Sequence, residues 1–154
     1  MHVLSQSAVW IKEPSADAGV VIVTSAAFPK YMIDKLHVAI DDWDQVAYLA
    51  VKQSEALMLD WLRVGSGPEQ SAGNPTCDAS QLLRSVSHSS FLLDVEVGAV
   101  PGLTWLGSVL GHTLRVIELG AIASSTAAMD QQVEHVLSTT RSLAKSVLQA
   151  RGVI

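Results

Sequence analysis

The stretch SSFLLDVEVG, residues 89–98, decides how the rest of the chain is read. Phe91, Leu93, Val95 and Val97 alternate with Ser90, Asp94 and Glu96, and only Leu92 breaks the polar set. Successive side chains of a strand point to opposite faces. The alternation therefore predicts a strand with one apolar face and one wet face. It predicts an α+β fold in which a small sheet is covered on one side by helices, with a long helix at the C-terminus.

The wet face also carries the residue types that chemistry needs. Asp94 and Glu96 share a side, roughly 7 Å apart along a strand. His88 has the same parity, and if HTLRVIEL, residues 112–119, is a neighbouring strand, His112 and Glu118 share one too. His88, Asp94, Glu96 and His112 on one face would supply a general acid and base, or hold a divalent cation. The plainer reading is that an exposed strand face is simply polar. Nothing in the sequence sets the register that would bring His112 to Asp94.

Upstream, VVIVTS, residues 20–25, is apolar without alternation, as a strand buried on both faces would be. Pro29 follows where a helix can start. Wound at helical pitch, Met32, Ile33, Leu36, Ala39, Ile40 and Trp43 share a side, while Lys30, Asp34, Lys35, Asp41 and Asp42 oppose them. Val38 and Tyr31 are apolar misfits on the polar side. The phase continues to Val64, which favours helix over residues 45–64. The rival reading makes QVAYLAV and ALMLDWLRV two strands of a hairpin.

The cluster DDWD, residues 41–44, does not read as a calcium loop. Counting from Asp44, Glu55 falls twelfth, but Val46, Tyr48 and Leu49 occupy places that need oxygen or glycine. Trp43 is expected in the core and the aspartates in water. GSGPEQSAGNPTC, residues 65–77, reads as a flexible loop. DASQ, residues 78–81, then has the spacing of a helix-capping box. PGLTWLGSVLGHTL reads as a helix from Pro101 or Gly102, either continuing or giving way to a strand at 112–119.

The C-terminal element is the most regular. Met129, Val133, Val136, Thr140, Leu143, Val147 and Ala150 recur at alternating spacings of four and three, the signature of a heptad seam. A continuous helix over 126–151 follows, with Gly152 ending it. Leu137, Ala144 and Leu148 widen the apolar stripe and are the expected interface residues.

The 154 residues suit a single globular domain. Charged residues are 16 % of the chain against 49 % hydrophobic, so the surface is weakly charged. The net charge of −5 and the absence of any Lys/Arg run argue against nucleic acid and against an anionic membrane. Within the apolar stretch 97–123, Pro101, His112, Arg115 and Glu118 make a spanning helix costly. The single Cys77 allows neither an internal disulfide nor a Cys-rich zinc site, and a reducing cytoplasm is the expected address. No phosphate-binding glycine loop, nucleophile elbow or zinc-hydrolase motif occurs. No cofactor or metal is expected. What remains is a non-catalytic protein-binding or assembly module of the adaptor, chaperone or immunity type. Its partner would be another protein or itself, as a homodimer. The alternative is a small metal-dependent or acid–base enzyme using the polar sheet face.

Overall fold

Five consecutive apolar or β-branched residues, Val20–Thr24, form a strand with every residue buried, and the rest of the fold is arranged around it. The structure is a computed structural model that describes residues 7–66, 77–99 and 101–152. In chain order the elements are β1 (Ala8–Lys12), β2 (Val20–Thr24), α1 (Lys30–Ile40), β3 (Val46–Val51), α2 (Ser54–Ser66), α3 (Asp78–Leu83), β4 (Phe91–Val97), a short 3₁₀ helix (Thr104–Ser108), β5 (Thr113–Gly120) and α4 (Thr126–Ala150).

The strands make one sheet in the order β1-β3-β2-β4-β5. β2, β3, β4 and β5 run parallel, and β1 closes one edge antiparallel to β3. This mixed sheet and its long C-terminal helix are of the α+β class. The covering differs from the one-sided expectation. Val20, Ile22, Tyr48, Leu93 and Val95 pack under α1 and α4 on one face. Val21, Val23, Leu49, Leu92, Leu57 of α2, Leu83 of α3 and Leu103 and Leu106 around the 3₁₀ helix form a second core on the other. Both faces are covered, because parallel strands need crossover connections and these lay helices on both sides.

Residues 30–64 are neither one helix nor a hairpin. Met32, Leu36 and Ile40 are buried at a spacing of four, as the winding predicts, but α1 stops at Ile40. Lys12 stops it: its Nζ donates to the carbonyls of Ile40 and Trp43, both at 2.6 Å. A cation on the last carbonyls satisfies acceptors that helix continuation would otherwise use. VAYLAV then forms β3, buried on both faces. A strand apolar on both faces lacks alternation, which is why it imitates helix in the sequence. α2 begins afresh at Ser54.

Other local readings shift by a few residues. The α3 cap is Cys77, one position before the expected Asp78, with Ser80 completing the box. The loop expected at 65–77 lies mainly outside the described residues. The segment after Pro101 makes only the short 3₁₀ helix before β5.

α4 matches its seam. Val133, Val136, Thr140 and Val147 are buried, Met129 and Leu143 are half-buried, and Ala150 is exposed. Thr140, the polar residue in the seam, donates its hydroxyl to the Val136 carbonyl at 2.7 Å and so enters the core satisfied. At its far end Arg151 donates to the carbonyls of Asp17 and Ala18 and to the Ser89 hydroxyl. Among the described residues no helix is long and apolar enough to cross a membrane.

Candidate functional site

Asp94 and Glu96 lie where the sequence places them, side by side on one face of β4, but that face is not wet. Asp94 is 0 % exposed and Glu96 5 %. Glu96 accepts the backbone N–H groups of Gly102 (3.0 Å) and Leu103 (2.9 Å), one on each carboxylate oxygen. It fastens the segment ahead of the 3₁₀ helix over the carboxyl end of the sheet. Ser54 at the start of α2 and the Trp105 indole N–H both donate to the Gly102 carbonyl, at 2.6 and 3.0 Å. Trp105 also stacks on Trp61 of α2 at 5.2 Å between ring centroids. The cover over the two carboxyls is thus tied to β4 and to α2.

Among the described residues, neither Asp94 oxygen meets a hydrogen-bond donor. Its polar neighbour is Glu96, whose oxygens can only accept while ionised. Burial, then a hydrogen bond to Glu96, then the Glu96 charge push the Asp94 pKa up to about 9. Asp94 therefore carries a proton at neutral pH, as a carboxyl buried beside a second one does.

The histidines are elsewhere. β4 and β5 pair with Phe91 opposite Thr113 and Asp94 opposite Val116. His112 precedes Thr113 and so lies about 13 Å short of Asp94 along the strands, at roughly 3.3 Å per residue. It is buried and bonded through Nε2 to the Val86 carbonyl at 3.0 Å, while Nδ1 has no partner among the described residues. Its ring meets His88 edge-on at 5.4 Å. The four candidates therefore separate into a carboxyl pair at the carboxyl end of the strands and a histidine pair at the amino end. Among the described residues no group of three or more His, Cys, Asp or Glu could hold a metal ion.

The three expected interface residues also divide. Leu137 is buried in the core beneath α4 and is not available to a partner. Ala144 and Leu148 are half-buried and line an open cleft of about 390 Å³ between α4 and the turn that leads into β3. Trp43 lies in this cleft, half-buried rather than in the core, with the Arg141 guanidinium 5.6 Å above its ring. Arg141 and Lys145 form the α4 wall, and Asp42 and Asp44 form the facing wall. Among the described residues no ion pair joins the two walls; Arg141 pairs instead with Glu134 at 2.7 Å.

The cleft was only partly visible in the sequence. The stripe picked out Ala144 and Leu148, and DDWD stood out as a cluster. Nothing in the sequence said that they are neighbours, because 100 residues separate Trp43 from Leu143. No family model matches the chain, and no curated protein shows significant similarity to it.

Proposed function

We propose that the chain is a non-catalytic protein-binding module, working in a reducing cytoplasm, and that it binds through the cleft between α4 and residues 42–46. The observation that supports this reading is the division of charge in that cleft. Opposite charges stand on two walls around an apolar floor of Trp43, Ala144 and Leu148, without neutralising each other. Such a surface suits an interface, where an aromatic anchor supplies contact area and the flanking charges select orientation.

The alternative, an acid–base enzyme, draws support from the raised proton affinity of Asp94, a trait of catalytic acids. Its accessibility counts against it. Asp94 is fully buried, and both Glu96 oxygens are taken by backbone N–H groups. The histidines that would complete the site stand apart from them.

The test is affinity capture with three baits: wild type, Lys145→Glu and Asp94→Asn. The binding reading expects Asp94→Asn to retain the wild-type partner and Lys145→Glu to lose it while staying folded. A partner retained by Lys145→Glu and lost by Asp94→Asn would sink the reading.

A further inference from the structure

Val38 is the misfit of the α1 winding, and it is 77 % exposed, more than any other large hydrophobic residue described. It stands on the last turns of α1, four residues before Asp42, and Asp42 is shared with the acidic wall of the cleft. Val38, exposed beside Asp41 at a shallow hollow of about 160 Å³, thus stands four residues from the acidic wall of an apolar floor whose opposite wall is cationic. A surface that carries both halves of a complementary pair side by side can close on itself about a two-fold axis, with each contact made twice.

We propose that the occupant of the cleft is a second copy of this chain. Val38 of each protomer enters the other's cleft over Trp43, Ala144 and Leu148, and Asp42 of each meets the other's Lys145. Lys145 is exposed and has no ion pair among the described residues, so its charge is available for this contact. Arg141 is held by Glu134 and by its stacking on Trp43, and serves as a fixed part of the wall. The proposal rests on the protein-binding reading above and names the partner.

The test uses the full chain in sedimentation velocity, with circular dichroism to confirm folding. Wild type should sediment as a dimer that added salt weakens, since these charges are solvent-facing. Asp42→Lys and Lys145→Glu should each raise the dimer dissociation constant at least about tenfold, because each sets two like-charge contacts in the dimer. Mixing the two single variants should restore a dimer, since every contact in the mixed pair is again between opposite charges. The double variant Asp42→Lys/Lys145→Glu should dimerise alone. Val38→Asp, at an exposed site, should be folded and monomeric. A monomeric wild type, or a dimer indifferent to all of these changes, overturns the proposal. In either of those cases a foreign protein whose capture Lys145→Glu abolishes would leave the binding-module reading standing, so the two failures are distinguishable.

Discussion

Asp94 and Glu96 are two residues apart on the same face of β4, yet among the described residues the Glu96 carboxyl has two backbone N–H donors and that of Asp94 has none. Burial without a donor among the described residues holds the proton on Asp94.

Stability should therefore depend on pH through Asp94. An unfolded aspartate titrates near 3.9, whereas in the folded chain Asp94 titrates near 9. Below both values each state is protonated, and the group contributes its full share to stability. Between them the folded state binds the extra proton, so stability falls as pH rises, by at most about 1.4 kcal/mol per unit for one group. Asp94→Asn should flatten this slope, matching wild type near pH 4 and exceeding it near pH 8. Urea melts at the two pH values measure the difference, and parallel losses in both proteins would refute the assignment.

Glu96→Gln should cost about 1–3 kcal/mol, since an amide can accept only one of the two N–H groups and turns its own donor on the other. Cost at that level separates a buried clamp from an ordinary surface residue. The loss should be accompanied by faster hydrogen exchange at Gly102 and Leu103. Unchanged exchange there would mean that the segment is held by Ser54 and Trp105 without Glu96.

Gly19 is the point where α4 presses on the start of β2. A Cβ there would stand 2.9 Å from Val147 Cγ1. Gly19→Ala should destabilise by about 1–3 kcal/mol through overpacking. Adding Val147→Ala should recover part of that loss, although the second change alone is destabilising. Thermal melts of the two single variants and the double form the cycle, and strict additivity would show that the two sites do not touch.

Charge placed along α4 should have opposite outcomes within four turns. Val136 is 0 % exposed, so Val136→Asp should unfold the domain, as an unpaired buried charge does. Leu148 is half-buried at the cleft, and Leu148→Asp should leave the helical signal intact. Circular dichroism of the two proteins decides it. A folded Val136→Asp would mean that the seam is not core.

The sequence alone was enough to determine the elements whose periodicity is set by a single burying surface. α4 follows its heptad from Thr126 to Ala150 because one stripe faces one core. The apolar side of α1 and the parity of β4 were legible for the same reason. The sequence was not enough where a segment is apolar all round or where a boundary depends on a distant residue. β3 looked helical because it is buried on both faces, and α1 ends where Lys12, 28 residues earlier in the chain, reaches the Ile40 carbonyl. The alternation in 89–98 correctly separated its two faces, but only the tertiary structure decided that the polar face is covered by Leu103 and Leu106. Parity reports which side chains share a face and carries no information about what the chain later lays over it. The two walls of the cleft likewise come from segments about 100 residues apart, and their apposition is a product of packing between α4 and the sheet.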